Sequence, residues 1–297
     1  MVKPALAAAR AVAVLDHLAA AGGRPHTLSE LSRAIDVNQP SLMAVLRALE
    51  DRGYLMRHRS HKTYTLGPAS VALGHSALRN DTTLHVAYAE MQLLADEMEA
   101  ECSAAAVVGA ESVIVATAGR PRSDTADVRV GTRIPLVPPF GTIPVAWGSA
   151  DDIAGWLARS PEPLDPDTRS HLRAVLAQIR LQGYAVGFDS AARRELGFAL
   201  RRLTDEPLAP GHRSDVQRLM SGLAGTFFAD DLADGLTHPV SIIMAPVFGQ
   251  GCEVELVIAL QGFAGPMDAE RIAQVANRLK ASTNHITRQT SGRSPDG

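Results

Sequence analysis

His26 to Leu66 reads HTLSELSRAIDVNQPSLMAVLRALEDRGYLMRHRSHKTYTL, and this stretch decides the fold of the N-terminal part. Thr27-Leu28-Ser29-Glu30 has the pattern of a capping box, in which hydroxyl and carboxylate satisfy two backbone N–H groups reciprocally. The helix it opens carries Leu28, Leu31 and Ile35 on one face and stops at Asp36-Val37-Asn38. A second helix starts near Pro40, where the missing N–H costs nothing. Leu42, Val45, Leu46 and Leu49 recur along it at helical spacing, and Gly53 is placed as its C-terminal cap. Two short extended runs follow, Tyr54–Met56 and Thr63–Leu66, around the basic turn Arg57, His58, Arg59, His61 and Lys62. Helix, tight turn, helix and basic hairpin is the order of a winged helix-turn-helix, which lays its second helix in a DNA major groove. A helix pair alone would be an ordinary structural hairpin; the basic wing sets this one apart.

Working outward, residues 4–20 are expected to form a first helix with Leu6, Ala9, Ala13, Leu15 and Leu18 as its core stripe. Lys3 precedes an Ala-rich run, but Arg10 and Asp16-His17 interrupt it, so the run reads as a helix of the fold and not a signal peptide. Residues 1–80 hold ten Lys or Arg against five Asp or Glu, whereas the remainder holds 19 against 27. A basic head on an acidic body fits a nucleic-acid-binding domain joined to a domain with a different partner. Two cysteines, Cys102 and Cys252, supply neither a disulfide framework nor metal spacing, and a reduced, cytoplasmic setting is expected. No apolar run is long enough to span a bilayer.

At this point a family resemblance enters. Ala9–Leu15, Thr27–Leu31, Leu46–Leu55 and Tyr64–Pro68, in that order, resemble the IclR family of bacterial transcriptional regulators. Downstream, Val130–Leu136 is similar to its "VG…PL" strand, Gly183–Val186 to "RGYAV" and Met244–Phe248 to "AAPV". The resemblance implies an α+β chain: an N-terminal three-helix winged helix-turn-helix, a linker helix, and a C-terminal GAF-like α/β effector-binding domain with an antiparallel sheet. The expected boundaries are 1–67 for the DNA-binding domain, 68–82 for the linker helix, 83–289 for the effector-binding domain and 290–297 for a disordered tail.

The family's recognition helix usually carries a Lys and then an Arg near its start; here those places fall on Gln39 and Ala44. Gln and Asn pair bidentately with adenine, as Arg does with guanine, so either Asn38 or Gln39 reads an adenine while Ser41 and Arg47 hold phosphates, or the chain binds DNA weakly or by shape with the wing supplying the charge. Met43, Arg57, Arg59, Lys62 and Tyr64 complete the expected DNA-proximal set.

Beyond the long amphipathic helix at 82–100, the period changes to that of strands. Ser103–Val108 and Val113–Ala116 read as a hairpin, and Val128 to Ile134 as the next strand. Pro138–Thr142 forms a bend into a helix. A longer helix runs through Gln182, followed by the strand Tyr184–Val186. Residues 190–238 read as an insertion of two helical segments, Ala191–Leu203 and Ser214–Phe228. Val240–Phe248 and Glu253–Leu260 read as an antiparallel pair, and a last helix starts at Asp268.

The resemblance implies a small-molecule pocket near the bend. The family's acid-binding positions fall near Gly187, Ile242 and Ala259, with Asp189 as a substitute for the first. An ionised carboxylate is costly to bury without partners, so a largely apolar or aromatic effector is expected, or no ligand. Ile134, Leu136, Phe140, Thr142, Asp189, Ile242, Met244 and Ala259 are the expected lining.

No dinucleotide fingerprint, P-loop, nucleophile elbow or His-Glu-x-x-His occurs. No catalytic residue, metal site or cofactor is expected. The expected partners are operator duplex DNA, a small-molecule effector and a second copy of the chain, as a homodimer or a dimer of such dimers. Two readings of other classes stand beside this one: an enzyme, methyltransferase-like, that uses the winged helix only to dimerise, and an interaction module that has lost DNA binding.

Overall fold

The computed structural model describes residues 5–80, 82–120, 129–188 and 236–295, with Glu195, Ala199, Asp215 and Leu219. Asp189 and the two helical segments expected at Ala191–Leu203 and Ser214–Phe228 lie outside the described residues, apart from those four positions.

The head comprises α1 (Leu6–Ala20), β1 (His26–Thr27), α2 (Leu28–Ala34), α3 (Gln39–Asp51), β2 (Leu55–Arg57) and β3 (Thr63–Leu66). The capping box forms as its sequence dictates. Thr27 N–H donates to Glu30 Oε2 at 2.6 Å, and Glu30 N–H to Thr27 Oγ1 at 3.3 Å. These bonds hold the Glu30 carboxyl below its ordinary range, the backbone donor of Thr27 contributing most. Asn38 caps α3 by accepting from Ser41 N–H at 3.0 Å. Val14 and Leu18 of α1 meet Leu31, Leu42, Leu46, Leu55 and Tyr64 in one small core. The expected stripe of α1 holds only toward its C-terminal end: Leu18 is buried and Leu15 packs against this core, whereas Leu6 is 64% exposed and Val14 and Ala21 join the buried side. The first turn of α1 projects past its neighbours, so an apolar period alone overstates what is buried there.

Two helices follow, α4 (Pro68–Asn80) and α5 (Thr82–Met98). The body is a six-stranded antiparallel sheet in the order β6-β5-β4-β10-β9-β7. Its strands are β4 (Glu101–Val108), β5 (Glu111–Ala118), β6 (Arg133–Pro135), β7 (Ala185–Phe188), β9 (Val240–Phe248) and β10 (Val254–Gln261). The small pair β8 (Thr237–His238) and β11 (Met267–Asp268) leads into α9 (Ala269–Gln289). One face carries Cys102, Ala104, Ile243, Ala245, Val247, Ile258 and Leu260 against α5 and α9. The other carries Ala105, Ala185, Met244, Phe248 and Val257 against α6 (Thr142–Ala146), α7 (Ala150–Ala158) and α8 (Pro166–Gln182). Alternate strand residues serve opposite faces, as the pleat requires.

Two expectations change here. The strand expected over Val128–Ile134 is only Arg133–Pro135; Val128 lies outside the described residues, and Gly131 turns with φ +91°. The tail from Thr290, expected to be disordered, is tied down through its described part. Gly292 N–H donates to Thr287 O at 2.8 Å and Arg293 N–H to Gly249 O at 3.0 Å, so its backbone groups find partners on α9 and the β9–β10 turn.

Candidate nucleic-acid interface and effector face

Leu42 and Leu46 are buried in the head core, so the opposite side of α3 faces out. There Gln39, Met43, Ala44 and Arg47 are exposed, with Ser41 half-buried. Gln39 Nε2 donates to Ser29 Oγ at 3.2 Å, which steadies the amide across the turn between α2 and α3. Asn38 is also exposed, but its side-chain oxygen is engaged as the helix cap.

The wing is a closed turn. His58 N–H donates to Thr63 O and Lys62 N–H to His58 O, each at 2.8 Å, and Lys62 takes φ +53° to complete it. The rings of His58 and His61 lie 4.6 Å apart. Arg57, Arg59 and Lys62 are exposed. Tyr64, expected beside DNA, is instead 1% exposed. Its ring belongs to the head core, its hydroxyl meets Met43 Sδ at 3.8 Å, and the Arg57 guanidinium sits 5.6 Å from its centroid. In β3 the residue that alternation turns inward is Tyr64, since its neighbours Thr63 and Thr65 are only half-buried.

A histidine pair joins α1 to β1. The rings of His17 and His26 meet edge-on with centroids 4.8 Å apart. Burial first, then the neighbouring His26 and Arg24, push His17 down to about 4, so it is neutral at physiological pH.

The expected effector residues separate into groups. Met244 pairs with Ala259 across β9 and β10. Met244 and Phe140 both pack on the α6–α8 side of the sheet. Ile242 lies on the same face of β9, opposite Gln261. Leu136 is buried and abuts Gly141, where an added Cβ would come within 2.7 Å of Leu136 Cδ2. Thr142 begins α6 and is 1% exposed, with its hydroxyl oxygen unpartnered among the described residues. Ile134 is elsewhere. It sits on edge strand β6, four strand spacings from Ile242 on β9, a separation of about 19 Å, too far for one small ligand to touch both.

Sequence reasoning missed the polar residues of this face. Register places Gln261 beside Glu101, and Ala259 beside Ser103, across β10 and β4. All three polar groups are at least 95% buried. Gln261 Nε2 has no partner among the described residues, an uncommon state for a buried amide. The signal was available. Counting back by twos from Ala105 reaches Ser103 and Glu101, and counting on from Ala259 reaches Gln261.

Comparison with known proteins adds the following. Residues 7–59 match the profile of the IclR helix-turn-helix domain. No curated protein matches the chain. Among solved structures, an IclR transcriptional regulator from Alicyclobacillus acidocaldarius is 20% identical, with a TM-score of 0.71 over 98% of this chain and 100% of that one. HmgR from Pseudomonas aeruginosa is 21% identical, with a TM-score of 0.62 over 96% and 99%. An IclR homologue from Microbacterium hydrocarbonoxydans, solved as a complex with 4-hydroxybenzoate, is 17% identical, with a TM-score of 0.62 over 95% and 99%. Residues 7–59 thus match an IclR helix-turn-helix domain, on a chain whose fold is similar to that of the solved IclR transcriptional regulators.

Proposed function

We propose that this chain is a transcriptional regulator whose operator binding responds to a small-molecule effector. The observation that carries the reading is the outward side of the head. Gln39, Met43 and Arg47 of α3 and the wing cations Arg57, Arg59 and Lys62 are all exposed, on a head that matches a DNA-binding domain family. Arg47 and the wing cations serve phosphates, and Gln39 reads a base edge. Such a regulator works in the cytoplasm, beside the genome. Among the described residues, no helix is long and apolar enough to cross a membrane.

The active species is a homodimer, because helix-turn-helix heads bind twofold sites in pairs. Exposed apolar side chains on two sides of α4 support this. Val71 and Leu73 are 74% and 58% exposed, apolar area that a second copy would cover. The boundaries 1–67, 68–82 and 83–289 follow as the reading head, its connection and the sensing body.

The effector has a largely apolar or aromatic body with polar ends. Met244, Ala259 and Phe140 supply apolar surface, while Gln261 Nε2 and the Thr142 hydroxyl, unpartnered among the described residues, supply polar anchors. Leaving such groups unsatisfied costs about 1–3 kcal/mol each, which a suitably placed ligand atom recovers. The solved homologue that binds 4-hydroxybenzoate has this kind of ligand, an aromatic ring with polar ends. Ligand and DNA are coupled only if the ligand binds one head arrangement better than another.

The test is duplex binding by the purified protein, using its own upstream intergenic DNA against random duplex over a salt series. Selective binding with a steep salt slope is expected. Equal affinity for both duplexes would overturn the reading in favour of the winged helix as a dimerisation module.

A further inference from the structure

We infer that the β5–β6 edge of the sheet is a docking surface for the chain's own α1, locked by Arg133, and that this contact links the bend at Pro138–Thr142 to the reading head. The docking half stands independently; the linkage half rests on the proposed regulatory function.

Arg133 opens β6. Its Nη2 lies 2.9 Å from Asp16 Oδ2 on α1, and its Nη1 lies 3.0 Å from Glu111 Oε2 at the start of β5. One guanidinium fork thus bridges two carboxylates that would otherwise repel across the junction. The backbone shapes the same contact. Gly131 has φ +91°, and a Cβ there would stand 3.2 to 3.3 Å from the carbonyl and Cβ of Ala19 on α1. Gly22, just past the end of α1, would put a Cβ 2.5 Å from Arg129 Nη1. The loop before β6 therefore lies directly on the last turn of α1.

From Arg133 the chain runs straight to the effector face. Arg133 pairs with Val113, Ile134 with Ser112 and Pro135 with Glu111. Leu136 N–H donates to Ala110 O at 2.8 Å, and Arg159 Nε to Leu136 O at 3.0 Å. Trp156 Nε1 then donates to Phe140 O at 2.8 Å. Only Ile134 and Pro135 separate Arg133 from buried Leu136, so a shift in the bend moves Arg133. At the other end, Val14 and Leu18 of α1 share one core with Leu42 and Leu46 of α3, so moving α1 carries the reading helix with it.

The three charged side chains remain 35 to 43% exposed. Exposed ion pairs are weak and salt-sensitive, which suits a contact that must release.

Hydrogen exchange on the full-length protein tests the docking without DNA. Arg133→Gln, Asp16→Asn and the double variant are compared with the parent at low salt. Each single variant is expected to speed amide exchange severalfold in the last turns of α1 and at 129–133. The double variant should be no faster than either single, and the α3 and β10 amides should be unchanged. Parent-like exchange in both singles, or additive effects in the double, would overturn the docking. A faster α3 would mark a folding defect of the head, and Glu111→Gln then replaces Asp16→Asn as the partner variant, judged by the same non-additivity. Duplex affinity of Arg133→Gln tests the linkage, with a change of threefold or more expected. Faster exchange with unchanged affinity would overturn the linkage and leave the docking standing, and neither result depends on identifying the effector.

Discussion

Replacing Tyr64 by phenylalanine and, separately, by alanine asks whether this residue holds the head together or touches DNA. The ring is 1% exposed and sits among Val14, Leu18, Leu31, Leu42, Leu46 and Leu55. Truncating a buried aromatic to alanine costs about 3–5 kcal/mol. Small domains have only about 5–15 kcal/mol in total, so Tyr64→Ala should leave the head largely or wholly unfolded in mild urea. The hydroxyl donates to the Met43 thioether at 3.8 Å, a weak acceptor. Tyr64→Phe should therefore cost less than about 1 kcal/mol and leave duplex affinity within twofold. The assay is urea unfolding followed by far-ultraviolet circular dichroism, paired with duplex binding at one fixed salt concentration. Because head and body can unfold separately, the head transition is read from a probe on α3. A Tyr64→Phe protein with parental unfolding and tenfold weaker DNA binding would refute the reasoning, because only a phosphate contact by the hydroxyl would explain it.

Other expectations follow from the same geometry. Arg59→Ala with Lys62→Ala removes two exposed wing cations per head, four per dimer. The slope of log affinity against log salt should fall by up to about 3.6, at about 0.9 per lost phosphate contact; an unchanged slope would take the wing off the duplex. His17 is held neutral by burial and by nearby His26 and Arg24, with a folded value of about 4. Its contribution to stability is present above the unfolded value of 6.5 and is lost as pH falls from there toward 4. Urea midpoints of the head should fall over that window and flatten in His17→Gln; the same pH slope in the variant would contradict this. Gln261→Leu should leave the ligand-free protein as stable or slightly more so, since it removes a buried Nε2 that has no partner among the described residues. It should also abolish the melting-temperature shift caused by any effector that stabilises the parent, and an undiminished shift would remove Gln261 from the site.

Local rules were legible in the sequence because their partners lie within one helical turn. Thr27 with Glu30 and Asn38 with Ser41 form the caps their spacing dictates. The strand pair β9–β10 was legible for a similar reason, since two apolar runs flank a glycine-bearing turn. Orientation about a strand was less legible. Tyr64 beside a basic turn reads alike whether it faces the core or a phosphate, and only packing against α1 and α3 decides. Leu6 fits the apolar period of α1, but nothing covers that end of the helix among the described residues. The strands expected from the apolar runs stop at Ser103 and Leu260, whereas the ladder continues through Glu101 and Gln261 into a buried row. The Arg133 contact joins positions 117 apart in sequence, a distance over which no local periodicity carries information.

The most direct test of the central claim is footprinting of the protein on genomic fragments that it selects for itself. The account predicts recovery of a small set of fragments, each protected over two inverted half-sites centred one or more helical turns apart, about 34–36 Å per turn, with protection lost in Arg47→Ala. Fragments recovered without common sequence, or one unpaired protected segment unaffected by Arg47→Ala, would contradict it.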